Sequence, residues 1–236
     1  RPVVPAGAIP AVAVEGSPDA WTGTEAAPLL PPFDIFNKQS RTFEIFNRGG
    51  DSFNFTVSAD NPWIILSNSR GRIKDQQRIT VTVDWDALSR LRNDDPASQD
   101  TVTDSNGMYT GSVTVRAEGD EIKIGVTAFY PASPVPSTVE GFVEAEGYVS
   151  IEAASYTARH DTGDRQWEWV EDYGRTGSGM RATALTDALP AMPGIDSPWL
   201  EYRIWFFSTG EFETVLHMAP SLNFLPDRDF KIGISV

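Results

Sequence analysis

The chain has 236 residues, room for one large or two small domains. Its 19 Lys and Arg stand against 33 Asp and Glu, a formal net charge of −14. That balance excludes a bare nucleic-acid binder, because phosphate binding draws its affinity from clustered cations. Cysteine is absent, which excludes disulfide frameworks, thiolate zinc sites and cysteine nucleophiles. A hydrophobic share of 40% excludes wholesale disorder. No apolar run approaches the roughly 18 residues of a membrane span. The two histidines, His160 and His217, are far apart and lie in no paired metal spacing. No G-x-S-x-G elbow and no phosphate-binding P-loop is present, so neither a Ser-His-Asp triad nor nucleotide chemistry has a local signature. The first residue is Arg1 rather than Met, which reads as a fragment or a processed product whose export signal has gone.

Residues 1–32 read as an irregular lead-in. Pro2, Pro5, Pro10, Pro18, Pro28, Pro31 and Pro32 interrupt any helix or central strand. Val12, Val14, Trp21, Leu29 and Leu30 are too apolar for a free linker, so the segment is expected to dock on a surface, with a domain outside this chain as a candidate partner.

Residues 33–130 follow the period of two that marks antiparallel strands with one wet and one buried face. Phe43 and Ile45 alternate with Glu44; Phe53, Phe55 and Val57 alternate with Asn54 and Thr56. Ile79, Val81, Val83 and Trp85 continue the pattern, as do Val113 with Val115, and Ile122, Ile124 and Val126. Turn residues fall between these runs at 48–51, 60–62, 105–107 and 118–120. The spacing predicts a β-sandwich of immunoglobulin-like size, with Trp63 and Trp85 in or near its core. Ala87, Leu88 and Leu91 predict one short helix, followed through Asn106 by a long exposed loop.

Residues 131–137 contain three prolines and read as an extended linker. The charge divides unevenly there. Residues 1–131 carry 12 basic and 17 acidic side chains, a net of −5; residues 132–236 carry 7 and 16, a net of −9. Residues 138–236 read as a second β-sandwich of the carbohydrate-binding jelly-roll kind. Val149, Ile151 and Ala153 alternate, Trp199–Phe207 reads as a central strand, and Val215–Met218 and Phe230–Val236 supply further strands. The fold class is therefore all-β, with two consecutive antiparallel sandwiches.

Three constellations could carry chemistry. Trp167, Trp169, Tyr173 and Arg175 offer aromatic platforms and a cation beside the glycine-rich run Gly174–Gly179. A sugar ring stacks on an aromatic face while its hydroxyls take fixed hydrogen bonds, and an arginine fork suits a uronate carboxylate. The same tryptophans would serve equally as core, and both readings stand. The carboxylates Glu140, Glu144, Glu146 and Glu152 could pair as in glycosidases, ligate calcium, or line a solvated face. Asn54-Phe55-Thr56 is an N-glycosylation sequon within a predicted strand.

The run Leu30-Pro-Pro-Phe-Asp-Ile-Phe-Asn-Lys-Gln-Ser-Arg-Thr-Phe-Glu-Ile-Phe-Asn-Arg-Gly49 resembles the start of a post-catalytic domain in family-115 glycoside hydrolases, which are xylan α-1,2-glucuronidases. Asn61-Pro-Trp-Ile64, Asp75-Gln-Gln-Arg78 and Val81-Thr-Val-Asp-Trp85 fit the same domain. Gly141–Glu152, Tyr173–Gly179, Trp199-Leu-Glu-Tyr202 and Ala219–Phe224 resemble the family's C-terminal domain. The resemblance implies an extracellular or periplasmic enzyme that removes (4-O-methyl-)glucuronic acid from xylan. Its catalytic barrel would lie upstream, so no catalytic residue is carried over. It implies the upstream catalytic domains of the same polypeptide as partners, with xylan and a second subunit as further ones, and neither nucleic acid nor membrane. The C-terminal part also resembles sandwiches whose first strand reads I-E-A-E with calcium on the second Glu. Here the run is Ile151-Glu152-Ala153-Ala154, so no metal and no cofactor is assigned. The family's terminal domain continues with further strands, so a trimmed or incomplete second sandwich is expected at Val236.

Overall fold

Alternating side chains become strands wherever one face can leave water, and the first half of the chain shows this clearly. The computed structural model describes residues 4–23, 27–94, 107–183, 192–219 and 232–235. The chain divides into two compact units, Arg1–Thr138 and Val139–Val236. The first unit contains β1 (Pro10–Val14), β2 (Phe33–Asp34), β3 (Arg41–Asn47), β4 (Phe53–Ala59), β5 (Ile64–Leu66), β6 (Arg70–Ile73), β7 (Gln76–Val83), α1 (Trp85–Asp94), β8 (Met108–Ala117) and β9 (Asp120–Phe129).

These strands form two sheets, in the orders β1-β3-β7-β5 and β2-β9-β8-β4-β6. The short β2 runs parallel to β9, and the other ladders are antiparallel. Phe43, Ile45, Ile79 and Val81 face inward from the first sheet; Phe55, Val57, Val115 and Ile124 face inward from the second. All belong to one buried cluster, in which Trp63 is wholly enclosed. Burial of each such side chain contributes roughly 1.5–3 kcal/mol relative to exposure. The predicted sandwich is thus present.

Between β8 and β9 the chain reverses over Glu118 and Gly119, with φ of 51° and 89°. Two positive-φ residues give the hairpin turn whose twist matches that of the strands, and glycine adopts it without steric cost.

The lead-in departs from the irregular reading. Residues 10–14 form β1, an edge strand paired with β3 through Val12↔Ile45 and Val14↔Phe43. Val12, Val14 and Leu30 lie in the core of this same unit, so the surface that the segment seeks is within the chain. Pro10 opens the strand, a position where the missing N–H costs no ladder bond. Glu15 ties the end of β1 to β3: its carboxylate accepts from Thr42 N at 2.8 Å and pairs with the buried Arg41 at 3.1 Å.

Trp85 does not continue the strand before it. Asp84 Oδ1 accepts from Asp86 N and Ala87 N at 3.1 and 2.9 Å, an N-cap that starts α1 at Trp85. Leu88 of this helix is completely buried. Residues 95–106, most of the predicted long loop, lie outside the described residues. The proline segment does not stay extended to its end, since Thr138 N donates to Val135 O at 2.9 Å and closes a turn.

The second unit contains β10 (Phe142–Val143), β11 (Ala158–His160), β12 (Trp167–Val170), β13 (Gly179–Ala182), β14 (Trp199–Glu201) and β15 (Ile204–Trp205). They make three two-stranded pairs, β10 with β15, β11 with β14 and β12 with β13. Among the described residues the chain is all-β with one helix, and no full jelly roll is assembled. None of the described residues in this unit is fully buried. The expected central strand Trp199–Phe207 is corrected. It pairs with β11 as far as Glu201, then changes partner to β10 at Ile204. Arg203 sits at the switch, its N–H donating to Thr157 Oγ1 and its carbonyl accepting from Phe142 N. The alternating residues Val149–Ala153 and the run Val215–Met218 carry no strand. Of Phe230–Val236, residues 232–235 are exposed and unladdered, and the rest lie outside the described residues.

Candidate carbohydrate-binding face

The hairpin of β12 and β13 positions the aromatic residues. Trp167 stands opposite Ala182 and Trp169 opposite Met180, so both indoles occupy one face. The other face carries Glu168 and Arg181, joined by an ion pair of 2.5 Å. Trp169 keeps 70% of its surface in water and makes no ring contact among the described residues. Trp167 is partly covered. Its carbonyl accepts from Arg159 Nη1 at 3.0 Å, and its N–H donates to Asp161 Oδ1 at 3.3 Å. Its indole N–H is enclosed.

Tyr173 is 64% exposed but does not join the tryptophans. A Cβ at Gly179 would lie 3.6 Å from the Tyr173 ring, and position 179 shares its face with Arg181. The structure therefore separates Tyr173 from the two tryptophans. Arg175 is exposed and has no hydrogen-bond or ion-pair partner among the described residues. The glycine-rich loop that holds it is closed by Gly174 N donating to Gly177 O at 2.6 Å, and it is braced where Thr176 Oγ1 donates to Glu152. Chemically this leaves one open indole for stacking and one uncommitted guanidinium.

The carboxylates are used one at a time. Glu140 pairs with Arg203. Glu152 holds Thr176. Glu144 accepts from Phe207 N, Ser208 N and Ser208 Oγ at 2.7, 2.8 and 2.6 Å. The Ser208 hydroxyl and N–H, then Phe207 N–H, outweigh burial and hold the Glu144 carboxyl below its ordinary range. Among the described residues no three His, Asp or Glu side chains converge as metal ligands would.

The sequence patterns did not single out one pairing. His160 stacks on Trp199 with ring centroids 3.6 Å apart and planes 12° from parallel, the cross-strand partner set by β11 and β14. Glu201 Oε2 lies 3.8 Å from His160 Nε2. Only the register of two three-residue strands brings these groups together.

Residues 141–236 match the family model of the glycosyl hydrolase family 115 C-terminal domain. The C-terminal unit is a family-115 C-terminal domain. This part of the chain is thus one piece of a glycoside-hydrolase family. No curated protein matches the chain. Among solved structures, a Bacteroides ovatus GH5 xyloglucanase in complex with a XXXG heptasaccharide is 18% identical, with a TM-score of 0.31. The likeness covers 52% of this chain and 20% of that one. A Porphyromonas gingivalis protein of unknown function is 9% identical over 54% of this chain and 49% of that one, with a TM-score of 0.32. The E. coli chaperone DraB is 9% identical over 66% of this chain and 82% of that one, also with a TM-score of 0.32. This chain spans a fifth of the xyloglucanase and about half of the Porphyromonas protein. Likenesses at this level say nothing about what the family-115 domain does.

Proposed function

We propose that the chain is the non-catalytic C-terminal part of a xylan α-1,2-glucuronidase, an extracellular or periplasmic enzyme that removes (4-O-methyl-)glucuronic acid from glucuronoxylan. Its work is packing and assembly on the upstream catalytic part of the same polypeptide. The observation that carries this reading is the apolar surface of the family-115 unit. Trp199, Trp205, Phe206, Phe212 and Leu216 each keep more than a third of their surface in water. Exposed apolar surface of that extent marks interaction sites in soluble proteins. The test has two arms. The purified chain alone should release no glucuronic acid from glucuronoxylan, and co-expression with the catalytic part should shield its tryptophans from a soluble quencher. Turnover by the chain alone, or unchanged quenching in the longer protein, overturns the reading.

A second reading, a carbohydrate-binding module, is favoured by Trp169. An indole open to water and free of ring partners is available as a sugar platform. Arg175 would meet a uronate carboxylate nearby. Affinity electrophoresis in glucuronoxylan gels tests it, and retardation that survives Trp169→Ala removes this indole from the site.

A further inference from the structure

We infer that the solvent face of the five-stranded sheet in the first unit is a docking surface for a carboxylate-bearing polysaccharide. This deepens the proposed function and rests on it for the choice of polymer. The inner face of that sheet is apolar, and the outer face is cationic and rich in hydroxyl and amide groups. Thr56 is the register partner of Arg70 on β6 and of Arg116 on β8. One row therefore reads Arg70, Thr56, Arg116. Beside it Asn54 stands opposite Arg72. Thr114 stands opposite Lys123 on the neighbouring strands.

Strands lie about 4.7–4.9 Å apart, which places Arg70 and Arg116 about 10 Å from each other with Thr56 between them. Arg70 and Arg72 are two residues apart on an edge strand and so project to the same side. All three arginines are exposed. The Arg70 side chain has no partner among the described residues, and that of Arg72 donates only to Ser52 Oγ, at 2.7 and 3.1 Å. Two carboxylates near this face are already engaged. Glu121 pairs with Arg116 at 2.8 Å, and Asp60 accepts from Ser112 N and Oγ, each at 2.7 Å.

This concentration of cations stands out in a chain of net charge −14. Arginine forks match planar carboxylates, while Thr56, Asn54 and Ser58 can meet sugar hydroxyls. The ligand class follows from what the face holds. No strand position on it carries an exposed aromatic residue among the described residues, so stacked bases find no platform. The net negative charge also opposes a dense polyanion such as DNA, with one charge per roughly 1.7 Å, far more than a sugar chain with spaced uronates.

Affinity electrophoresis of the whole 236-residue chain tests the assignment. One gel holds glucuronoxylan, a second the same polymer with its uronic acids reduced to neutral sugars, and a third duplex DNA. Retardation is expected in the first gel, weakening with added salt, and little in the other two. The combined variant Arg70→Ser, Arg72→Ser, Arg116→Ser is expected to bind roughly tenfold more weakly. Arg70→Ser alone gives an independent reading, because that side chain has no partner among the described residues and its loss still weakens binding. No retardation by glucuronoxylan overturns the assignment. Equal retardation by the reduced polymer does so too, as does parental binding by the arginine variants or tighter binding to DNA. None of these outcomes alters whether the chain releases glucuronic acid, so the docking surface and the proposed function fail separately.

Discussion

Asp60 and Ser112 are joined three times: Asp60 N donates to Ser112 O at 3.0 Å, and Ser112 N and Oγ donate to Asp60 Oδ1 and Oδ2, both at 2.7 Å. This pair fixes the end of β4 to β8 across the sheet that carries the arginine row. Burial pushes the Asp60 carboxyl up. The Ser112 N–H and hydroxyl, the Asn61 amide and the Lys123 charge together outweigh it and hold the group below its ordinary range.

The sign of the pH effect follows. A carboxyl whose folded pKa is depressed contributes stability above its unfolded pKa and loses it as pH falls through the folded one. Asp60→Ala is expected to cost roughly 0.5–1.5 kcal/mol at neutral pH, towards the low end because the carboxylate is partly solvated. Urea unfolding of parent and variant at pH 7 and near pH 3 checks this. The difference between them should shrink in acid, and a constant difference would show that the carboxylate charge is irrelevant.

Gly49 gives a second prediction. A methyl group at this position would overlap the Gly7 carbonyl oxygen, because the lead-in crosses directly over it. Arg48 N, Gly50 N and Asp51 N donate to Ile9 O, Pro5 O and Gly7 O at 2.9, 3.0 and 3.1 Å. Gly49→Ala should force these apart and loosen β1, at a cost of roughly 0.5–1.5 kcal/mol for each bond lost. Limited proteolysis within residues 4–23 reads the effect. A variant with parental cleavage rates would mean that the strap does not need the close approach.

Asp84 supplies the third. Replacing this cap by Ala should destabilise the first unit by roughly 0.5–2 kcal/mol. Asp84→Asn, which retains an oxygen acceptor, should recover most of the loss. Chemical denaturation of the three proteins decides it, and equal losses in both variants would point to the charge rather than the cap.

The sandwich of the first unit was legible because Phe43 with Ile45, Phe53 with Phe55, and Ile122 with Ile124 repeat every second residue over long strands. β1 was hidden because prolines surround it and its alternation, Val12 and Val14 between alanines, has low contrast. Trp85 looked like strand because its hydrophobicity fits the preceding run; only the Asp84 cap turns the chain there. In the second unit the run Trp199–Phe207 is apolar on both faces, which suggests a central strand, but hydrophobicity cannot show that the run changes partner at Arg203. The same limit holds at the candidate site. Spacing put Trp167 and Trp169 on one face correctly, yet the position of Tyr173 depends on how the loop returns to Gly179. The arginine row was visible only as solvent-facing positions in separate strands, since register alone makes Arg70, Thr56 and Arg116 neighbours.

The last prediction concerns the order of unfolding. In the first unit Phe33, Phe43, Ile45, Trp63, Ile79 and Ile124 are almost entirely out of water. In the second, none of the described residues is fully buried, and Trp205, Phe206 and Phe212 remain substantially exposed. Each large apolar side chain left in water forgoes roughly 1.5–3 kcal/mol of burial, against the roughly 5–15 kcal/mol that a domain has in total. Two or three such losses are enough to decide which half unfolds first. Calorimetry of the chain should therefore show the C-terminal unit melting before the first, and an isolated piece ending at Thr138 should keep the higher transition unchanged. If self-association covers the exposed aromatics, the lower transition should rise with protein concentration, since anything that binds only the folded state stabilises it. A C-terminal unit that is the more stable half at every concentration, or tryptophans shielded from a soluble quencher in the monomer, would show that this apolar surface is buried within the unit itself.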